Sequence, residues 1–436
     1  MKTRKKQAKI NIITLGCSKN LVDSEHLMKQ LQMNQLSVTH NSNEPTEVVV
    51  INTCGFIADA KQESIDTILQ YLEAKKDGLV KAVYVMGCLS QRYEKELKNE
   101  MSDVDGYYGV NDIPAIIKDL GAKYKKELVG ERLQTTPQHF AYLKISEGCD
   151  RTCSFCAIPL IRGKHKSKPI ETLVHEAKLL VEQGVKELIL IAQDLTYYGL
   201  DLYHERKLPQ LLDELAALKG LEWIRLHYTY PTDFPFELIE VMKKHENICK
   251  YIDIPLQHIS TPILKAMRRW SSPKQVESLI ARIRTEIPEV AFRTTFIVGF
   301  PNETREDFEK LIDFVKKSKF ERLGVFTYSH EEDTRAHRLE DNVDEQTKND
   351  RMEELMAIQE EISYALNQKK IGKVYKTLID REEGDFYVGR TEFDSPEVDN
   401  EVLISKVNND CLTGNFYQIK ISSASAFDLN GDIENV

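Results

Sequence analysis

Three β-branched apolar runs near the start of the chain, INIITLGC, EVVVINTCG and KAVYVMGC, each close on a cysteine and each lead into a helical pattern. A strand rich in Ile and Val on both faces is buried on both faces, as in a parallel sheet covered by helices. In a doubly wound sheet the strand C-termini share one edge, and ligands bind in the crevice there. Cys17, Cys54 and Cys88 lie 37 and 34 residues apart, one per βα turn, so the fold can gather them at that edge. Three separate structural cysteines is the plainer explanation. Their identical place in three successive units favours a shared ligand.

The βα rhythm resumes from about residue 135 to 335, with candidate strands in FAYLKISEG, ELILIAQD, WIRLHYTY, YIDIPLQH, VAFRTTFIVGF and LGVFTYSH. Six such units predict a partial β/α barrel, since eight would close one. Between the first two, Ile170, Leu173, Val174, Ala177, Leu180 and Val181 form the stripe of a surface helix that Gly184 stops. Polar residues follow the strand ends: Gln193 and Asp194, His227 and Tyr228, Gln257 and His258, Tyr328 and Ser329. Active sites form on that rim, although any one such residue is more often a hydrogen-bonded rim group. A charged helix over 343–370 is expected to pack along the barrel. From 372 on, short alternating strands with Gly, Pro and Asp turns predict a small β-barrel of about 65 residues. The expectation is a multidomain α/β chain divided at 9–125, 135–368 and 370–436.

At 436 residues the chain is too long for one ordinary core. Its net charge of −10 argues against a protein built overall to coat nucleic acid. No apolar run is long enough to span a bilayer. The basic MKTRKKQAK reads as a solvated end and leads into a strand-length run too short for a secretory signal. A cytoplasmic location is expected. Thiols stay reduced there, and clustered cysteines point to metal or catalysis.

The densest cluster is ISEGCDRTCSFCAIP, with Cys149, Cys153 and Cys156 in eight positions. A disulfide uses two thiols and a structural zinc four ligands. Three thiolates suit an iron–sulfur cluster with one iron left open; zinc with His165 as fourth ligand is the competing reading. Ligand count and softness favour iron. TFIVGFPNET, 295–304, sets Gly299, Phe300 and Pro301 just after the fifth strand, and Gly299 permits close backbone approach.

The C-x3-C-x2-C loop, with Phe155 before its last cysteine, resembles the radical S-adenosylmethionine (SAM) superfamily. That resemblance implies a 4Fe-4S cluster on Cys149, Cys153 and Cys156. Its open iron would bind the amino and carboxylate groups of SAM, and an electron passed to the sulfonium would yield a 5′-deoxyadenosyl radical. Phe155, Gln193, Gly299, Phe300 and Pro301 would lie near the SAM. The order of N-terminal trio, loop and C-terminal barrel resembles the methylthiotransferases across about 9–430. This implies a Rossmann-like N-terminal domain holding an auxiliary 4Fe-4S cluster on Cys17, Cys54 and Cys88. A (β/α)6 radical SAM core and a TRAM-like β-barrel for substrate recognition would follow. SAM would serve as methyl donor and radical source, with a reducing partner such as flavodoxin or ferredoxin and a sulfur donor.

Within that family LGCSKNLVDSE (15–25), NTCGFIADAKQESI (52–65) and IPLQHIS (254–260) resemble the ribosomal-protein branch. The tRNA-adenosine branch usually carries a basic pair where Gly55, Phe56 and Ile57 stand. The implied reaction is β-methylthiolation of one aspartate of small-subunit ribosomal protein uS12, with no membrane and no stable nucleic-acid partner. Charge leans the same way. From Lys370 to Val436 there are seven Lys or Arg and thirteen Asp or Glu, net −6, which would repel tRNA and attract a basic protein. The basic IRGKHKSKP (161–169) is expected to be mostly a solvated loop, with some residues available to the SAM carboxylate or the substrate acid. A tRNA methylthiotransferase, an iron–sulfur electron carrier and a zinc-stabilised RNA-binding module are the alternatives. Cys249 and Cys411 have no partner at ligand spacing and read as packing or surface residues.

Overall fold

The computed structural model describes residues 9–407 and 409–434, so most of the basic N-terminal stretch lies outside the described residues. The chain divides into two compact units. One comprises Met1–Thr136, Tyr142–Arg151 and Ala157–Leu179, the other Pro137–Ala141, Thr152–Cys156 and Leu180–Val436.

The first unit is built on the parallel strands β1 (Lys9–Thr14), β2 (Ser37–His40), β3 (Val48–Thr53), β4 (Ala82–Gly87) and β5 (Gly106–Tyr108), in sheet order β2-β1-β3-β4-β5. This is the doubly wound order whose direction reverses between β1 and β3. Helices α1 (Ser18–Met33), α2 (Ala58–Lys76), α3 (Cys88–Glu100) and α4 (Ile113–Asp119) alternate with the strands. Alternate strand residues feed two cores. Val49, Ile51, Val83 and Val85 pack with Ile68 and Leu72 of α2. Ile10, Ile12, Val50 and Met86 pack with Leu27, Leu31, Ile116 and Ile117 of α1 and α4. Each fully buried Val, Leu or Ile contributes about 1.5–3 kcal/mol. Strands β2 and β5 were not apparent in the sequence: four and three residues long, they are largely half-buried and lack the apolar run that marks the others. The same unit holds the two-stranded hairpin of β7 (Ser146–Glu147) and β8 (Lys166–Ser167), and between them α5 (Ile158–Arg162).

All six predicted strands of the second sheet are present: β6 (Phe140–Lys144), β9 (Glu187–Ile191), β10 (Trp223–Leu226), β11 (Ile248–Asp253), β12 (Ala291–Val298) and β13 (Arg322–Thr327). They form one open sheet in the order β13-β12-β11-β10-β9-β6. Helix α6 (Ile170–Glu182) lies in the first unit through Leu179, and the helices that follow are α7 (Leu208–Ala216), α8 (Glu237–Lys244), α9 (Thr261–Ala266), α10 (Pro273–Glu286), α11 (Arg305–Ser318) and α12 (Glu345–Gln368). In α6 the predicted stripe buries Ile170, Leu173, Ala177 and Leu180. The charged α12 runs along β12 and β13, as its position in the sequence predicts.

The remaining strands, β14 (Val374–Glu383), β15 (Phe386–Thr391), β16 (Glu401–Ser405), β17 (Phe416–Ala424) and β18 (Asp428–Ile433), close a barrel around Ile379, Val402, Ile404, Ile419, Ile421 and Leu429. Cys411 packs in this core, and Cys249 packs with Trp223, Tyr251, Ala291 and Leu378. The barrel is fastened to the six-stranded sheet. Trp223 meets Phe416 edge-on at 4.7 Å, Ser395 Oγ and His227 Nε2 are 2.8 Å apart, and Tyr251 donates to Asp399 at 2.7 Å. Arg390 pairs with Glu187 and with Asp380, and Arg322 with Asp394. Asp380, Asp394 and Asp399 therefore face cations or donors of their own chain. Arg322 lies outside the C-terminal segment and answers Asp394 there, whereas the Asp380–Arg390 pair is already within the count of −6. His227, read as a rim residue, is likewise engaged with the barrel.

Candidate metal centres

Cys17 follows β1 as the residue capping α1, Cys54 follows β3, and Cys88 opens α3 after β4. These three strands are neighbours in the sheet, so the three turns stand side by side at its C-terminal edge, beside the β1/β3 reversal. The approach is close enough to require glycine at position 16. Its φ is +83°, and a Cβ there would lie 2.7 Å from Cys54 Cβ and 3.0 Å from its Sγ. Ser64 of α2 fixes the Cys54 turn, accepting from its backbone N–H at 3.0 Å and donating to its carbonyl at 2.9 Å.

One residue that no motif marks, Asn20, ties the turns together. Asn20 is fully buried; its Nδ2 donates to Leu15 O at 2.9 Å and to Thr53 O at 3.0 Å. Its Oδ1 accepts from Arg162 at 2.5 Å and lies 3.6 Å from Cys88 Sγ. Arg162 is a correction to the sequence expectation. It is 4% exposed rather than solvated, and its Nη2 lies 3.5 Å from Cys88 Sγ. Nη1 donates to both Glu147 oxygens at 2.9 Å and to Asp23 at 3.3 Å. Lys144 bonds the same two acids, Asp23 closely and Glu147 at 2.7 Å. Desolvation opposes ionisation of Cys17, but Lys19 and Arg162 outweigh it and the thiol is held below its ordinary value. Burial pushes Cys88 up to about 12 against the pull of Arg162, and raises Cys54. The raised thiols of Cys54 and Cys88 would ionise on binding a metal, whereas Cys17, exposed at the sheet edge, is already favoured as the thiolate.

Of the second trio, Cys149 belongs to the first compact unit and Cys153 and Cys156 to the second. Cys149 donates its backbone N–H to Gly163 O at 3.1 Å, and its Sγ accepts from the Arg151 backbone N–H at 3.4 Å. In the other unit, Cys153 Sγ lies 3.7 Å from Arg269 Nη1 and 3.7 Å from the Tyr230 hydroxyl. Arg269 is held by Pro255 O at 2.5 Å, its guanidinium 4.4 Å from the centre of the Tyr230 ring. Tyr230 follows β10, where rim position is the available signal, whereas Arg269 follows helix α9 and carries no such signal. Between the cysteines, Ser154 donates its N–H to Met267 O at 2.9 Å and its hydroxyl to Ala266 O at 2.7 Å.

Phe155 and Phe300 fall in one apolar cluster with Met267, Tyr328 and Ala336, and Pro301 is buried beside it in sequence. Gln193 stands half-buried just after β9. Gly299 has φ +73°, and a Cβ would meet Lys348 Cγ at 2.2 Å, so on that side the glycine makes room for α12. His165, the candidate fourth zinc ligand, is buried in the first unit with Nε2 3.1 Å from Ser167 Oγ.

Thiols with guanidinium or backbone N–H donors beside them are the donor chemistry that an iron–sulfur cluster takes. All eight cysteines are free thiols. Among the described residues no group of three or more Cys, His, Asp or Glu side chains is placed to hold a metal ion. A cubane takes its thiolates at separate corners, and guanidinium or N–H donors beside sulfur are what its outer shell requires.

Residues 143–315 match the radical SAM superfamily, 9–109 the Uncharacterized protein family UPF0004, and 371–433 the TRAM domain. A ribosomal protein uS12 methylthiotransferase RimO of Flavobacterium johnsoniae is 57% identical over 98% of this chain and 98% of its own length. One of Cytophaga hutchinsonii is 56% identical over 98% of each. Among solved structures, the radical SAM methyltransferase TsrM of Kitasatospora setae superposes with a TM-score of 0.55 at 13% identity, covering 74% of this chain and 75% of that one. The cobalamin-dependent SAM radical enzyme OxsB gives 0.52 at 12%, over 82% and 56%. These two likenesses speak for the fold.

Proposed function

The chain belongs to the RimO family of radical SAM methylthiotransferases, and from that premise we propose that it replaces a β-hydrogen of one aspartate of ribosomal protein uS12 by a methylthio group. The observation that carries this is the second thiolate set. Three turns from three neighbouring strands bring Cys17, Cys54 and Cys88 to one sheet edge, a set distinct in the sequence from Cys149, Cys153 and Cys156. We assign 9–125 to the domain holding an auxiliary 4Fe-4S cluster on Cys17, Cys54 and Cys88. Residues 135–368 form the radical SAM core with a 4Fe-4S cluster on Cys149, Cys153 and Cys156. Residues 370–436 form the TRAM-like barrel that contributes to substrate recognition.

When bound, the clusters and SAM would relay the reductant's electron, supply the radical that breaks an unactivated C–H bond and the methyl group, and present the sulfur for insertion. The chain's own residues do the holding. Asn20 and Ser64 keep the three turns in register, and Arg162 presents N–H to Cys88. Arg269 and Tyr230 face Cys153. The Phe155–Phe300–Tyr328 cluster makes an apolar wall beside the loop, which keeps water from a reactive centre. The cytoplasm, a flavodoxin- or ferredoxin-like reductant and a sulfur donor complete the proposal.

The test is anaerobic turnover of the reconstituted chain with SAM and reductant, given uS12 and tRNA in parallel. Mass spectrometry should find SCH3 in place of hydrogen on a uS12 aspartate. Methylthioadenosine in the tRNA, with uS12 untouched, would overturn the assignment.

A further inference from the structure

Arg162 is a costly residue to bury. An unpaired guanidinium in a protein interior loses several kcal/mol of hydration, and chains keep one there only with matched acceptors. Here the acceptors are Asp23 of α1 and Glu147, and Lys144 reaches the same two carboxylates. Two cations and two anions make the group formally neutral. One edge of the fork faces the acids. The other faces Asn20 Oδ1 at 2.5 Å and Cys88 Sγ at 3.5 Å. A residue recruited merely to pair Asp23 and Glu147 could point away from the sulfur. This one places N–H on it, and the short helix α5 that bears Arg162 packs Ala157 and Ile161 against Cys88 and Val110.

We propose that Arg162 is a positioning residue of the second thiolate site, donating to Cys88 Sγ and setting, with Asp23, Lys144 and Glu147 behind it, the charge felt by whatever Cys17, Cys54 and Cys88 hold. The inference rests on the reading that these cysteines carry a cluster. Three thiolates bring negative charge to the site. A fixed cation touching one of them favours the more reduced, more negative state of the bound group, and hydrogen bonds to ligand sulfur act in the same direction. Asp23 acts oppositely through Arg162, without touching the sulfur.

The experiment uses the full chain with Cys149, Cys153 and Cys156 replaced by alanine, reconstituted anaerobically with iron and sulfide, so that one cluster remains. Iron content, the EPR spectrum after one-electron reduction by dithionite, and the midpoint potential are measured. Arg162→Gln should keep the iron and shift the midpoint to more negative values, with altered g-values, and Arg162→Lys should recover most of that shift. Asp23→Asn should shift the midpoint to more positive values, an opposite sign that general loosening of the fold would not give. Midpoints and spectra unchanged in Arg162→Gln, or a shift in Arg162→Lys as large as in Arg162→Gln, overturn the proposal. If Arg162→Gln does not fold, Asp23→Asn decides, and no positive shift there overturns it. Absence of iron in the parent with Arg162 intact would instead sink the reading of the site itself.

Discussion

The two cysteine sets reach a similar donor composition by opposite routes. Cys149, Cys153 and Cys156 are neighbours in the chain, so their spacing is a property of eight residues. Cys17, Cys54 and Cys88 are separated by whole βα units and become neighbours because β1, β3 and β4 pair in register. Each set has one arginine against one sulfur: Arg269 at 3.7 Å from Cys153, Arg162 at 3.5 Å from Cys88. Arg269 is held by a carbonyl and an aromatic ring, whereas Arg162 is locked among carboxylates. A local loop tolerates softness around it. A site assembled from distant turns depends on buried polar ties, since each small shift of a strand moves one ligand relative to the others.

The sharpest way to break this comparison is to remove the sets separately. Replacing Cys17, Cys54 and Cys88 by alanine should halve the iron of the reconstituted chain and abolish methylthiolation while 5′-deoxyadenosine is still formed. Replacing Cys149, Cys153 and Cys156 should also halve the iron but stop 5′-deoxyadenosine. Iron analysis and chromatography of the turnover mixture read both; equal behaviour of the two variants would mean a single shared centre.

Next in size is Asn20→Ala. It leaves Leu15 O and Thr53 O without their donor and Arg162 without one acceptor, at a cost of about 2–4 kcal/mol. A lowered urea midpoint, with iron lost from the first set and kept on the second, is expected. Equal loss from both would show that Asn20 serves general stability.

Acid tests the frames around the sulfurs. Burial lowers His26 in the first unit to about 4 and His258 in the second to about 3. Both sit below the unfolded value of about 6.5, so the folded state binds fewer protons between those limits. Their contribution is complete above about pH 6.5 and is lost as the pH falls toward the folded values, at about 1.4 kcal/mol per pH unit for each. Denaturation curves at successive pH values should show this slope, and His258→Gln should remove one histidine's share. The smallest effect is expected from Arg269→Leu. It should cost about 1 kcal/mol of stability from the lost ring and carbonyl contacts and alter the EPR spectrum of the loop cluster, leaving that of the auxiliary cluster unchanged.

Much of this was legible beforehand where the signal is local. The six strands of the second sheet, α6, α12 and the closed C-terminal barrel follow from periodicity and turn chemistry. Strands β2 and β5 did not, because three or four half-buried residues carry no pattern of their own. Arg162 reads as solvated within IRGKHKSKP, since its partners Asn20, Asp23 and Cys88 lie 142, 139 and 74 residues away. Asn20 stands inside LGCSKNLVDSE, yet nothing in an isolated asparagine tells that two backbone carbonyls from different turns will meet it.

By itself, then, the sequence determined where the thiols stand, the length and order of the repeating units, and a family likeness spread over nearly the whole chain. Those properties depend on spacing of a few to a few tens of residues, which the covalent chain holds. Tertiary structure alone decided which polar groups share the interior with the sulfurs, and how many of the C-terminal acids are answered by internal arginines. Burial makes an unmatched charge so costly that its partner must be found in space, and distance along the chain carries no record of that match.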